Sequence, residues 1–132
     1  MAIFLKKELE IKEKLKEKIN FISNIDERKP HVKVGILNLM PTLEDTERQL
    51  ITVLDDKILQ VELDFIYLDT KKRDEEKEEY YQKYYRSFKE IKKENYDGMI
   101  ITGAPLEHIN YHDIDYIEEL KEFFKYTKDH VT

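Results

Sequence analysis

Two short loops hold the residues of this chain whose types and spacing could do chemistry. The first loop, residues 38–42, follows the apolar run VKVGIL and contains Asn38, Met40, Pro41 and Thr42; the second, residues 103–108, follows the run GMIIT. β-branched apolar runs that stop at a turn are typical of strands buried on both faces, and α/β sheets bind ligands at the carboxyl ends of such strands. We therefore expect both loops to border one crevice.

The second loop offers backbone amides that could bind an oxyanion. Gly103, Ala104 and Pro105 form a turn that exposes N–H groups, including that of Leu106. Preorganised amides of this kind stabilise the negative oxygen of an acyl-transfer transition state. A turn with no chemical role is the competing interpretation. Neither loop is a phosphate-binding glycine loop, because the patterns GxGxxG and GxxxxGK[ST] do not occur in the sequence.

The residues alone predict neither a catalytic nucleophile nor a metal site. The chain has no cysteine, and Ser23 and Ser87 lie outside any nucleophile-elbow pattern. His108 and His112 have the spacing of two zinc ligands on one helix, but no third ligand accompanies them. We therefore expect no bound metal.

Composition indicates one small domain. The 132 residues are 40% hydrophobic and 39% charged, so the chain can bury one core beneath a solvated surface. A net charge of -6 argues against nucleic acid as a partner, because phosphate binding needs a basic surface. No apolar run approaches the roughly 18 residues of a membrane span, so no membrane partner is expected and a cytoplasmic location is the simplest interpretation.

The hydrophobic pattern predicts alternating strands and helices. Strands are predicted at residues 32–39, 59–68 and 98–102, with helices at 44–55, at 75–94 and after Asp113. Helices between strands force parallel pairing through right-handed crossovers. The predicted fold class is therefore α/β: a flavodoxin-like doubly wound parallel sheet, incomplete at about three strands, with an added N-terminal helix.

Each predicted helix has one apolar face. Thr42 is expected to cap the first, whose buried residues are Leu43, Leu50, Ile51 and Leu54. The last helix, capped by Asp113, should bury Ile114, Ile117, Leu120 and Phe124. The helix at 75–94 carries an aromatic stripe of Tyr80, Tyr84, Phe88 and Ile91, with Tyr81 and Tyr85 alongside. We favour core packing over a platform for stacking bases, because the interleaved charges are mixed rather than basic.

The first 29 residues differ in charge from the rest. They carry eight Lys or Arg against six Asp or Glu, a balance of +2, whereas the remainder carries 15 against 23, a balance of -8. Apolar residues at helical spacing predict an amphipathic helix from Lys6 to Ile22, with the stripe Ile11, Leu15, Ile19 and Ile22. We therefore predict a helical appendage at 1–29 and an α/β domain at 30–132. The stripe could bind a membrane surface or a partner, but packing on the domain or on a second subunit is favoured.

Several segments, in order, resemble the homoserine O-acyltransferases of methionine biosynthesis, a family with a class I glutamine-amidotransferase-like fold. These segments are VKVGILNLMPT, DTERQL, LQVELDFIYLDT, YDGMIITGAPLEH, DIDYIEEL and TKDHVT. They run from about Lys29 to Thr132, which is about four-fifths of the chain. The combination of LNLMP, TGAP and DHVT in this order and spacing is a specific signature.

The resemblance implies an activity and a site. Members of the family transfer an acyl group from acetyl-CoA or succinyl-CoA to the hydroxyl of homoserine through an acyl-cysteine, with a His and a Glu completing the triad. It implies that Gly103, Ala104, Pro105 and Leu106 supply the oxyanion loop, and that Glu107 selects the acyl donor. A carboxylate there repels the succinyl carboxylate and fills its space. Acetyl-CoA is therefore the expected co-substrate, with succinyl-CoA less favoured.

Three departures from the family pattern bear on activity. Leu43 stands where the family's MPTKIETE has a lysine near the acyl-CoA side of the pocket, and an apolar residue cannot replace that charge. The family's amino-terminal segment is replaced by the Lys/Glu-rich helix. The sequence also stops at DHVT, before the family's cysteine, His and Glu. We therefore expect a truncated enzyme that has no catalytic residue in this chain and is inactive alone.

An open sheet edge is a further expectation. In a 2-1-3-4-5 strand order the strand at residues 98–102 would lack a neighbour on one side, and proteins normally cover or pair such an edge. We expect a complementary carboxyl-terminal half, or another copy of the chain in a homo-oligomer, to pair with it.

Three functions remain open. The first is the amino-terminal portion of a homoserine O-acetyltransferase-like enzyme, which Glu107 and the TGAP turn favour. The second is a degenerate, non-catalytic module that binds a partner through the open edge and the N-terminal helix, which Leu43 favours. The third, an independent small-molecule-binding domain of the flavodoxin type, is disfavoured because no cofactor loop is present.

Overall fold

One parallel sheet forms the centre of the computed structural model, which describes residues 2–55, 58–103 and 114–132. In these residues the strands are β1 (Ala2–Leu5), β2 (His31–Leu37), β3 (Gln60–Tyr67), β4 (Arg86–Ser87) and β5 (Gly98–Ile101). Their order is β1-β3-β2-β5, and β4 pairs with the carboxyl end of β3. The predicted α/β class with a doubly wound parallel sheet is confirmed, with five described strands in place of about three.

Helices cover both faces of this sheet. They are α1 (Ile11–Leu15), α2 (Leu43–Leu54), α3 (Glu75–Tyr84), α4 (Phe88–Ile91) and α5 (Ile117–His130). Alternate residues of β3 enter two cores, because successive side chains of a strand point to opposite faces. Leu63 and Phe65 pack with α1, α2 and α3, whereas Ile66 packs with α4 and α5. None of the helices in the described ranges is long and apolar enough to cross a membrane.

The register of β2 brings two loops together. β2 pairs with β3 from His31↔Gln60 to Leu37↔Ile66. On its other side it pairs with β5 from Val34↔Gly98 to Leu37↔Ile101. The three strands predicted from sequence are thus confirmed to within two residues at each end, as is their relative order. Because β2 and β5 are parallel and end together, their carboxyl-terminal loops lie side by side.

The amino-terminal segment contains a strand, and the predicted helix from Lys6 to Ile22 is wrong in extent. β1 pairs with β3, and α1 has five residues. After α1 the chain returns along β1 instead of continuing the helix: Ile3 N donates to Asn20 O at 2.9 Å, and Ile22 N donates to Ile3 O at 2.9 Å. Packing of the apolar stripe on the domain is confirmed, because Ile11, Leu15 and Ile19 lie in the same core as β3. The domain boundary at residue 29 stays a prediction.

A break at Tyr85 divides the predicted helix at 75–94 into α3 and α4. Tyr85 has an extended backbone, with φ -116° and ψ 164°. The ammonium of Lys7 donates to the carbonyls of Gln82 and Tyr85, so a cation satisfies the end of α3. Ser87 then starts α4 with a capping box to Glu90. The Ser-x-x-Glu pattern at 87–90 is the sequence signal that marks this second helix start.

Core packing of the aromatic stripe is confirmed. The most deeply buried members are Tyr81, Tyr85, Phe88 and Ile91, whereas Tyr80 and Tyr84 are half-buried. The rings of Tyr81 and Tyr85 meet edge to face, with centroids 5.3 Å apart, a favourable arrangement for two quadrupolar rings.

The predicted buried face of the last helix is confirmed in part, because Ile114 and Leu120 pack against the core as predicted. Phe124 was expected to point inward but is 47% exposed, whereas Phe123 is fully buried and Tyr126 nearly so. The stripe that enters the core therefore follows Tyr116, Leu120 and Phe123, which is an equally regular helical spacing. Asp113, the predicted cap of this helix, lies outside the described residues.

One flank of β5 has no strand beside it among the described residues. β5 pairs with β2 on one side, and Asp97 extends this contact, because its backbone N–H and its carboxylate bond the O and N of Lys33, each at 2.8 Å. The four residues of β5 are all half-buried. On the other flank the carboxyl-terminal residues pair with Tyr96 just before β5, because Tyr96 N donates to His130 O at 2.8 Å and Thr132 N donates to Tyr96 O at 3.1 Å. Within the described part of the chain, the expected open edge is therefore limited to Gly98–Ile101 itself.

A buried ionic network joins β3 to β4 and to the segment before β5. Asp64 is 1% exposed and accepts from Arg86 Nη1 and from the Tyr96 hydroxyl, each at 2.6 Å. Arg86 also bonds Glu94, which Lys33 contacts at 2.8 Å. Arg86 and Lys33 lower the pKa of Glu94 to about 2, whereas burial raises the pKa of Asp64. Arg86 therefore neutralises two carboxylates from different parts of the chain.

Replacing Arg86 should destabilise the fold strongly. The change Arg86→Ala leaves the buried carboxylate of Asp64 without its cation, and a broken buried pair costs about 3 to 5 kcal/mol. Urea denaturation measures the loss. The control is Arg28→Ala, because Arg28 also pairs with an aspartate but its side chain is 90% exposed, so we expect a loss below about 1 kcal/mol. Equal losses in the two variants would contradict this role of Arg86.

Candidate functional site

A hydrogen bond joins the loop after β2 to Thr102, where the chain leaves β5. The backbone N–H of Leu39 donates to the Thr102 hydroxyl oxygen at 2.7 Å, and Thr102 N donates to Leu37 O at 3.1 Å. Thr102 is the residue that directly follows β5, and its hydroxyl also contacts Gly103 O at 3.2 Å. The two loops therefore begin side by side at one edge of the sheet. That they border one crevice stays a prediction, because residues 104–108 of the second loop lie outside the described residues.

Asn38 holds the turn that leaves β2. Its side chain is 1% exposed; Oδ1 accepts from Met40 N at 3.1 Å, and Nδ2 donates to the Tyr85 hydroxyl at 2.8 Å. Asparagine favours such turns because its side chain can bond the backbone two residues further on. Asn38 therefore connects the loop backbone to the buried tyrosines beneath it.

Glu47 is a buried carboxylate beneath this loop, and it was not among the predicted site residues. It is fully buried, and it accepts from the Tyr85 hydroxyl at 2.6 Å and from the Tyr80 hydroxyl at 2.9 Å. Burial, opposed by these two bonds, raises the pKa of Glu47 to about 7. The sequence did contain a signal: Glu47 lies four residues after Leu43 and four before Ile51, both predicted to be buried on α2.

Leu43 lies in the first turn of α2 and is buried, 7% exposed, within the core that α1, α2 and α3 share. Thr42 occupies the capping position as predicted, although its side chain makes no capping hydrogen bond. Pro41 and Leu43 line an open cleft of about 350 Å³ together with Tyr80 and with acidic residues of three segments, Glu10, Glu44, Asp74 and Glu76. The cleft is thus lined by apolar and acidic side chains, and Lys77 partly offsets the negative charge.

The predicted oxyanion and specificity residues lie mostly outside the described residues. Ala104, Pro105, Leu106 and Glu107 belong to this group, as do His108 and His112. Gly103 is described and exposed, and apart from its chain neighbours no described residue has a heavy atom within 4 Å of the position that a Cβ would take there. Its role in an oxyanion loop stays a prediction. In the described ranges no cluster of three His, Cys, Asp or Glu residues could hold a metal ion.

Comparison with known proteins identifies the family. The family profile of homoserine O-succinyltransferase matches residues 2–132. The chain belongs to the homoserine O-succinyltransferase family. It is also similar to the homoserine O-acetyltransferases of Streptococcus pneumoniae strains Hungary19A-6, TIGR4 and G54, with 38% identity over 136 residues in each case. The resemblance inferred from the LNLMP, TGAP and DHVT segments is thus confirmed.

The alignment with the pneumococcal proteins covers nearly all of this chain but less than half of each relative. The alignment with each pneumococcal protein includes 99% of this chain but 43% of the relative, and it corresponds to the amino-terminal part of that relative. The homoserine O-succinyltransferase family member described here therefore spans less than half the length of the curated relatives it matches. Within that span lie the two loops that Leu39 and Thr102 join.

Glu47 should make stability depend on pH in a way that Glu47→Gln removes. Its pKa is about 7 when folded against 4.5 for an ordinary glutamate. Between these values the unfolded chain loses the proton while the folded chain keeps it, so the free energy of unfolding falls as pH rises, by about 3 kcal/mol in total. Glutamine does not titrate. Urea denaturation from pH 4 to 8.5 should show the stability difference, variant minus parent, growing by about this amount between pH 4.5 and 7. A constant difference would contradict the raised pKa.

Proposed function

We propose that this chain is the amino-terminal portion of an enzyme that transfers an acetyl group from acetyl-CoA to L-homoserine in methionine biosynthesis. The observation that carries the proposal is the 2.7 Å bond from Leu39 N to the Thr102 hydroxyl. It joins the LNLMP loop to the start of the TGAP loop at one edge of the sheet, where α/β folds bind their substrates. The family match and the names of the pneumococcal relatives support the same activity.

The two loops would contribute binding and transition-state stabilisation. The amides of Gly103, Ala104 and Leu106 would receive the oxyanion that forms when the thioester carbonyl is attacked. Glu107 would close the acyl pocket and exclude a donor that carries its own carboxylate. Because the 132 residues contain no cysteine, the thiol that takes up the acyl group, with its His and Glu, would come from polypeptide equivalent to the rest of the relatives' length. The chain alone would then be inactive.

A second candidate is a non-catalytic module that binds a partner. The observation that favours it is Leu43, which takes the place of the family's pocket lysine and is buried in the core. An apolar side chain there cannot attract the anionic groups of an acyl-CoA. In this alternative the fold would be kept for the surface that it presents.

Both candidates assign a partner to the free flank of β5. The strand is short and apolar, and among the described residues β2 pairs with it on one side. On the other side Val131 pairs with Tyr96, just before the strand begins, and no described strand continues this pairing along Gly98–Ile101. Peptide N–H and C=O groups on such an edge are stabilised by pairing with another strand. The complementary carboxyl-terminal polypeptide, or a second copy of this chain, would supply that strand.

The acyl donor should depend on Glu107. We would co-express this chain with the segment of pneumococcal homoserine O-acetyltransferase that it does not cover, and measure O-acetylhomoserine and O-succinylhomoserine. We expect product from acetyl-CoA and at least about tenfold less from succinyl-CoA, because a repelled carboxylate costs about 1.4 kcal/mol or more. Glu107→Gly should raise succinyl transfer, whereas the control Glu107→Asp, which keeps the charge, should not.

Two outcomes would contradict this assignment. Turnover by the 132-residue chain alone would require a nucleophile other than cysteine. Equal use of both donors by the parent protein would remove the role given to Glu107.

The state of association tests the β5 edge. In solution the chain alone should form dimers or larger species, because the open edge of β5 pairs with a second copy. The complementary polypeptide should replace these with a one-to-one complex. Static light scattering after size-exclusion chromatography measures both masses. A monomer at all concentrations that also fails to bind the complementary polypeptide would exclude pairing at this edge.

A further inference from the structure

Three hydrogen bonds in series connect a buried carboxylate to the loop that follows β2. The Tyr85 hydroxyl donates to Glu47 Oε2 at 2.6 Å, Asn38 Nδ2 donates to the Tyr85 oxygen at 2.8 Å, and Met40 N donates to Asn38 Oδ1 at 3.1 Å. The side chains of Glu47, Tyr85 and Asn38 are each at most 1% exposed. Water therefore competes little for any of these bonds.

The ionised carboxylate fixes the direction of every bond in this series. A carboxylate can only accept, so the single hydroxyl hydrogen of Tyr85 points to Glu47. The Tyr85 oxygen must then accept from its other neighbour, and Asn38 presents its NH₂ group to it. The carbonyl oxygen of Asn38 is thereby turned toward the N–H of Met40.

The backbone N–H of Met40 is the last one in this loop that is held before Pro41. The next residue, Pro41, has no N–H, so the bonds made by Leu39 N and Met40 N are successive anchors of the backbone before α2. Leu39 N is held by Thr102 at 2.7 Å, and Met40 N is held by Asn38. One anchor thus comes from the loop after β5, and the other comes from the core.

We propose that Glu47, Tyr85 and Asn38 act as positioning residues that set the backbone at Met40, where the loop borders the candidate site. The relevance of this positioning to acyl transfer rests on the proposed function, but the coupling itself does not. Tyr80 also bonds Glu47, yet it makes no hydrogen bond to Asn38. The proposal therefore distinguishes two tyrosines that serve the same carboxylate.

The groups around Glu47 determine the pH at which its carboxyl titrates. Glu44 faces it from its own helix and Glu10 from the segment before α1, and both acidic neighbours add to the effect of burial. Tyr80 and Tyr81 face it from α3, and Tyr85 from the break after α3. The resulting pKa of about 7 lies well inside the pH range in which a folded protein can be studied.

The test follows the Met40 amide by NMR in the full 132-residue chain, labelled with ¹⁵N and ¹³C, between pH 5.5 and 8.5. In the parent protein we expect the Met40 amide shift to change with the same midpoint as the Glu47 carboxyl carbon. In Tyr85→Phe, Glu47 keeps its hydrogen bond from Tyr80 and still titrates, but the Met40 amide loses its pH response. In the control Tyr80→Phe the Met40 amide still follows Glu47, at a higher midpoint, because the ionised form has lost one donor.

Two results would overturn the proposal. One is a Met40 amide in the parent protein that does not respond while Glu47 titrates. The other is an unchanged response of Met40 in Tyr85→Phe. If Tyr85→Phe does not fold, which the amide signals of α5 would reveal, the comparison of Met40 with Glu47 in the parent protein decides. The NMR titration contains neither homoserine nor acyl-CoA, so its result does not depend on whether the acyl-transfer assay succeeds.

Discussion

The parallel pairing of β2 with β3 on one side and β5 on the other is the constraint on which the other features depend. It runs over seven residue pairs to β3 and four to β5, and it places the carboxyl ends of β2 and β5 at one edge. The bond between Leu39 and Thr102 is possible because these ends coincide. A shift of one residue in either pairing would turn the apolar side chains of β2 to the wrong faces. The position of the site is therefore a consequence of strand register.

Tyrosine hydroxyls donate hydrogen bonds to a buried carboxylate on each face of this sheet. On the α2 face, Tyr80 and Tyr85 donate to Glu47. On the α5 face, Tyr96 donates to Asp64 beside Arg86. A tyrosine fills apolar space like a phenylalanine and also supplies one donor, so it packs the core and satisfies an acid at once. Glu47 accepts from tyrosine hydroxyls, and its pKa is raised to about 7. Asp64 accepts from the guanidinium of Arg86 as well as from a tyrosine.

Membership of the homoserine O-succinyltransferase family gives the loop edge its chemical context. The loop after β2 is held from the core through Asn38 and from the neighbouring loop through Thr102. A loop fixed in this way has little conformational freedom left to lose when a ligand binds, which is the advantage of preorganisation. Leu43 lies in the same segment and packs into the core that α1, α2 and α3 share, so it anchors the start of α2 by apolar contact.

The sequence by itself determined the α/β class, the three strands β2, β3 and β5, the order of those strands and the family, because these depend on local runs of β-branched residues and on ordered motifs. It did not determine the break at Tyr85, the strand β1, the burial of Phe123 in place of Phe124, or the environment of Glu47. Lys7 donates a hydrogen bond to a carbonyl at the end of α3 that lies 75 residues away in the sequence, and Tyr85 donates to Glu47, which lies 38 residues away. Such partners are distant in the chain and meet only when the sheet has formed, so tertiary structure alone decided where α3 ends and which carboxylate titrates near pH 7.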